Sequence, residues 1–153
     1  MVVSMILNVS GRTDIVAFYS KWFMNRYKEG FIDVRNPFYE RNVSRIYFKD
    51  VDAILFCTKN PIPMLPHLKE LSDYNMLWFV TITPYGRDVE PNVPSKEKVM
   101  DAFKSLSDTL GVNCVSWRYD PILIDDTYTL DYHIETFSEM ANNLKGYTDN
   151  VVI

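Results

Sequence analysis

The sequence is poor in the residues that most thiol and metal chemistry requires. Its 153 residues include two cysteines, Cys57 and Cys114, and two histidines, His67 and His133. Both cysteines lie inside apolar strand-like runs and read as buried free thiols that pack as small apolar groups. A disulfide between them would be out of place in the cytoplasm, the expected location. Both histidines fall on helical patterns rather than strand ends, which argues against a histidine triad or a zinc site, and no metal ligands are assigned. Two thiols are too few for an iron–sulfur cluster. Long apolar runs are also lacking. Met76 to Thr83 is far too short to span a bilayer, and Met1 to Val9 has neither the basic start nor the small-residue cleavage site of a leader. No membrane contact is therefore expected. A net charge of −4 provides no global field for nucleic acid, although a local basic pocket remains open. The glycine spacings of a Walker loop or a dinucleotide fingerprint are absent.

What the chain does have is apolar and aromatic mass: 47% hydrophobic residues and 14% aromatics, enough for one core and one domain over residues 1–153. Five β-rich runs, Met5 to Val9, Ala53 to Thr58, Met76 to Ile82, Asn113 to Trp117 and Val151 to Ile153, alternate with helical patterns. The first helix carries Ile15, Phe18, Tyr19, Trp22 and Phe23 at the spacing of one buried face, with Asp14 as N-cap and Gly30 as stop. The second begins near Pro61 and Pro63 and buries Met64, Leu65, Leu68 and Leu71. The third, announced by Ser95, buries Val99, Phe103, Leu106 and Leu110 and ends at Gly111. The fourth turns Ile134, Phe137, Met140, Ala141 and Leu144 inward before Gly146. Residues 31–50 interrupt this alternation with two strand-like pieces, Phe31 to Arg35 and Val43 to Phe48, around Asn36-Pro37, and read as a hairpin insertion.

Strand and helix repeated in this way imply an α/β fold with parallel strands. The expectation is a parallel (β/α) barrel of TIM type, partial, with about five of its eight strands; a complete one takes about 250 residues. An open sheet of flavodoxin type is the alternative, but it normally closes with a helix over its last strand, whereas this sequence ends on Val151-Val152-Ile153. Open strand edges would favour association.

Side chains alternate across a strand, so each run divides into two faces. Asn8 and Ser10, then Arg12 if the chain stays extended, share a face in the first. Leu55, Cys57 and Lys59 share one in the second, Phe79, Thr81 and Thr83 in the third, and Cys114, Ser116, Arg118 and Asp120 in the fourth. Each such face turns polar towards the carboxyl end, where parallel α/β folds bind ligands. Structural ion pairs and turn residues are the competing explanation. Ser10-Gly11-Arg12-Thr13-Asp14 links strand to helix, and Arg12 offers a bidentate fork to an anion. Thr58-Lys59-Asn60-Pro61 leaves a lysine at the mouth; desolvated beside Arg12, it would serve as base or amine nucleophile. Asp120 is the acid–base candidate or the partner that orients Arg118 or Lys59. Arg87 belongs to the rim, and Asp125-Asp126 to a solvated loop.

Ser10 to Ile15 with Ala17-Phe18-Tyr19, Val34 to Phe38, Thr58 to Pro61, Trp117 to Ile122 and Glu90 to Pro94 together resemble a bacterial family, domain of unknown function 1848, over essentially the whole chain. The resemblance implies a protein about twice this length, similar to radical S-adenosylmethionine barrels. It also implies a cysteine cluster near the carboxyl end that binds iron and sulfur. This sequence stops before that region, and its loop from Ser10 to Asp14 lacks the cysteines that ordinary radical enzymes carry after the first strand. The leading expectation is the amino-terminal portion of an enzyme that binds an anionic small molecule, S-adenosylmethionine or a nucleotide-like substrate. Lys59 and Asp120 would be catalytic, and Arg12, Arg118, Ser10, Thr83, Asn60 and Asp14 would bind substrate. The alternative is a non-catalytic ligand-binding or protein-interaction module.

Overall fold

Each apolar run pairs with the one before it. The computed structural model describes residues 4–153, and Met1 to Val3, the start of the stretch read for a leader, lie outside them. The elements run β1 (Ile6–Asn8), α1 (Ile15–Glu29), β2 (Phe31–Arg35), β3 (Val43–Tyr47), β4 (Ala53–Thr58), a 3-10 segment (Ile62–Leu71), β5 (Asn75–Thr81), α2 (Lys96–Leu110), β6 (Val115–Arg118), α3 (Leu130–Leu144) and β7 (Val151–Val152). Five strands form one parallel sheet in the order β1-β4-β5-β6-β7, without the reversal that defines a flavodoxin-type sheet. β2 and β3 form a separate antiparallel pair, the expected hairpin, with Phe31 opposite Tyr47 and Arg35 opposite Val43.

Register fixes the two faces. Leu7, Ile54 and Met76 lie level across three strands, as do Phe56, Trp78 and Val115, and all six are buried. This face carries the helical layer, in which α1 adjoins the 3-10 segment, the segment adjoins α2, and α2 meets α3. Phe56 stacks on Trp78 with ring centroids 4.3 Å apart, and Phe23 of α1 meets Phe56 edge-on at 5.7 Å. Burying such a ring stabilises the fold by about 2–3 kcal/mol relative to leaving it in water. The opposite face bears Asn8, Leu55 and Leu77 at one level, Cys57, Phe79 and Ser116 at the next, and Thr81 beside Arg118 at the carboxyl end.

Several expectations change. Phe18, Tyr19 and Trp22 are 69%, 50% and 44% exposed, and α1 instead buries Val16, Ser20, Phe23 and Met24. Both sets satisfy helical spacing. The buried one continues to Tyr27, whose ring meets Phe48 and Tyr74 edge-on, so the longer aromatic contact set determines the rotation. The second helical pattern is 3-10 rather than α because Pro66 within it has no N–H to donate to the preceding turn. Ile134 is exposed, since the inner stripe of α3 runs through His133, Met140 and Leu144. The fourth strand starts at Val115, after a 3-10 turn over Val112–Cys114. Cys57 and Cys114 are free thiols but half-buried rather than buried.

Candidate functional site at the carboxyl ends of the strands

The loop after β1 is fastened to the end of β4. Asp14 caps α1 by accepting from the Ala17 N–H at 2.9 Å, and its other carboxylate oxygen accepts from the Thr58 hydroxyl and the Lys59 N–H, each at 2.9 Å. One carboxylate therefore joins a helix start to a neighbouring strand. Ser10 makes a parallel tie, its Oγ accepting from the Cys57 N–H at 3.2 Å. Asn60 starts the 3-10 segment: its N–H donates to Thr58 Oγ1, and its Oδ1 accepts from the Ile62 N–H. The Ser10, Asp14 and Asn60 side chains are thus engaged with backbone.

Lys59 and Thr83 converge on a residue that sequence reasoning did not select. Lys59 Nζ lies 2.5 Å from Glu90 Oε1, Thr83 Oγ1 donates to the same oxygen at 2.7 Å, and Lys96 at the start of α2 binds Oε2. The Glu90 side chain is only 9% exposed. Burial by itself pushes its carboxyl up, but the hydrogen bonds from Lys59, Lys96 and Thr83 together outweigh it and leave Glu90 below the usual glutamate range. Lys59 therefore sits in an ion pair with Glu90, not beside Arg12. The signals that could have singled out Glu90 were its place in the long loop between β5 and α2 and the Glu90-Pro91-Asn92-Val93-Pro94 motif.

Two strands further on, Arg118 and Asp120 pair with each other across one intervening residue, both partly exposed. Arg118 lies level with Thr81. The Cys57 thiol is raised by burial, lowered by the charge of Arg118 and raised by that of Asp14, which puts all three within electrostatic reach. Arg12 turns the other way: its Nη1 donates to the Arg35 carbonyl at 2.7 Å and joins the loop to the hairpin. Asp14, Lys59 and Thr83 are thus linked, the last two through Glu90, Ser10 is tied separately to Cys57, Arg118 and Asp120 form a second pair, and Arg12 is bound to none of these.

His133 does structural work. Its Nε2 donates to the Leu123 carbonyl at 2.8 Å, and its Nδ1 shares a hydrogen bond of 2.9 Å with the buried Tyr119 hydroxyl. This network ties the end of β6 to α3. Among the described residues no helix is long and apolar enough to cross a membrane.

Residues 6–153 match a family described as a domain of unknown function, DUF1848. The chain belongs to the DUF1848 family. No curated protein and no solved structure shows significant similarity to it. The DUF1848 chain does not itself provide for an iron–sulfur cluster, which takes about four cysteine thiolates. Cys57 lies level with Phe79 and Ser116, so Cys114 is two strands away and two residues lower, a separation on the order of 10 Å between backbones. Among the described residues, no group of three histidine, cysteine or acidic side chains is positioned to hold a metal ion.

Proposed function

We propose that the carboxyl ends of β1, β4, β5 and β6 form the binding site of an enzyme portion for an anionic small molecule, within an arc of a parallel (β/α) barrel. The observation that carries this reading is the position of Lys59 and Arg118 at the carboxyl ends of β4 and β6, with Lys96 at the start of α2 sharing Glu90 with Lys59. Arg12 is turned to the hairpin and stands outside this site, so Lys59, Lys96 and Arg118 face three carboxylates, Asp14, Glu90 and Asp120. A ligand carboxylate or phosphate would therefore bind by exchanging with Asp120 on Arg118 rather than by filling a charge deficit. Strands in chain order with helices in one layer suit a barrel, and Thr81, Ser116 and Arg118 give its inward face a polar upper rim.

Within this reading Arg118 binds the anion. That releases Asp120 from its ion pair and makes it the acid–base group, while Glu90 holds Lys59 in place at the mouth. S-adenosylmethionine, through its carboxylate, and nucleotides, through their phosphates, are the ligand classes that fit. Any iron–sulfur chemistry would rely on cysteines outside this chain. The cytoplasm is the corresponding compartment.

Calorimetric titration with S-adenosylmethionine, ATP and uncharged adenosine tests the reading. ATP or S-adenosylmethionine should bind more tightly than adenosine, and Arg118→Ala should weaken binding about tenfold through loss of a charge-assisted contact. If neither ATP nor S-adenosylmethionine binds more tightly than adenosine, or if the variant binds unchanged, the reading is refuted. The second reading, a non-catalytic binding or interaction module, is favoured by the pairing of Lys59 and Arg118 with carboxylates, which leaves neither of them as an unpaired reactive group. Under that reading ligand binding persists but no substrate is turned over.

A further inference from the structure

A separate cleft of about 420 Å³ lies between β1, α1 and β2. Its walls include Ile15, Trp22, Ile32 and Val34, and its polar groups include Arg12 and Arg35. The cleft arises because α1 has two apolar stripes and commits only one to the core; Trp22, on the other, is left 44% exposed. The volume suits a small organic ligand, and mainly apolar walls with a few convergent polar groups are the usual composition of such sites.

Charge narrows the ligand class. The bond from Arg12 to the Arg35 carbonyl uses one of the five N–H donors of the guanidinium. Asp33 also lines the cleft, but Arg45 neutralises it through two bonds of 2.7 and 2.8 Å. Arg12 and Arg35 are thus two cations facing only one cleft-lining acid, Asp33, which is already paired with Arg45, beside an indole that can cover a ring.

We propose that this cleft binds a small carboxylate with a flat apolar body, the carboxylate on the Arg12 fork and the ring against Trp22. The site is distinct from the strand-end cluster and does not depend on its assignment. Ligand-observed NMR and calorimetry with 2-naphthoate provide the test, with 2-naphthalenemethanol as the neutral isostere. The alcohol should bind about tenfold more weakly than the carboxylate, and Arg12→Ala should weaken naphthoate by a similar factor. Trp22→Ala should weaken both compounds, whereas Arg118→Ala should leave both unchanged. Arg12 and Trp22 are exposed, so the variants should keep the fold, and circular dichroism would verify this. Arg12→Lys, which retains charge but not the fork, should fall between wild type and alanine. Failure of the wild type to bind naphthoate at millimolar concentration, equal binding of the alcohol, or full affinity in Arg12→Ala would each overturn the proposal.

Discussion

Glu90 condenses the problem to one side chain. Sequence reasoning finds Lys59 because a lysine at a strand end stands out, but its partner lies 31 positions further on, in a loop with no periodicity to read. In Glu90→Gln the lysines lose their counter-charge, which should cost about 2 kcal/mol in urea unfolding. The pH dependence has a definite sign. A carboxyl held below its ordinary value of 4.5 contributes stability that is fully present above that value and is lost as pH falls through the lower, folded value. Below about pH 4.5 the gap between wild type and Glu90→Gln should therefore narrow, as a pair of denaturation series at several pH values would reveal. Two buried tryptophans offer a second comparison. Trp117 donates its indole N–H to the Ile82 carbonyl at 2.9 Å, whereas the indole N–H of Trp78 has no partner among the described residues. Phenylalanine at 117 strands a buried carbonyl, and at 78 it removes an unsatisfied donor. Trp117→Phe should therefore be the more costly change, by about 1–2 kcal/mol, and the reverse order in thermal melts would contradict this account.

At the scale of elements, what was legible in the sequence followed from strand alternation and from caps. Ala53 to Thr58 has the length and β-rich content of a strand, and the Asp14 and Gly30 caps mark both ends of α1. Gly30 adopts φ 83°, a left-handed geometry that lets its N–H close on Arg26 and Tyr27. What was not legible is rotation about a helix axis. Residues 15–24 carry apolar or small side chains on two stripes, and contacts with the distant Phe48, Phe56 and Tyr74 decide which of them is buried. The site was half legible for a similar reason: Lys59, Thr83, Arg118 and Asp120 do lie at strand ends, while Glu90 and Lys96 depend on how a long loop folds back. Asp14 serves α1 and β4 together. Asp14→Ala removes a cap and two cross-element bonds, so it should cost about 2–3 kcal/mol, more than an isolated cap. Asp14→Asn, which can still cap, should recover part of that, and equilibrium unfolding of both variants would check it.

At the scale of the molecule, the sheet has two open edges among the described residues, β1 and β7, and a face that none of their helices covers, on which Ile6 is 68% and Leu77 39% exposed. Apolar side chains beside unpaired backbone favour association. The chain should therefore self-associate as concentration rises, and Ile6→Lys should shift sedimentation velocity towards monomer without lowering the melting temperature. An unchanged sedimentation profile would place the contact elsewhere. The unbroken strand order also bears on biosynthesis. Each later strand of the sheet, from β4 to β7, pairs with one already made, so the layer can grow by accretion from its amino end as the polypeptide leaves the ribosome. At every stage the newest edge is the one that receives the next strand, and a ribosome pausing between β5 and β6 would hold a sheet that already contains Lys59 and lacks Arg118.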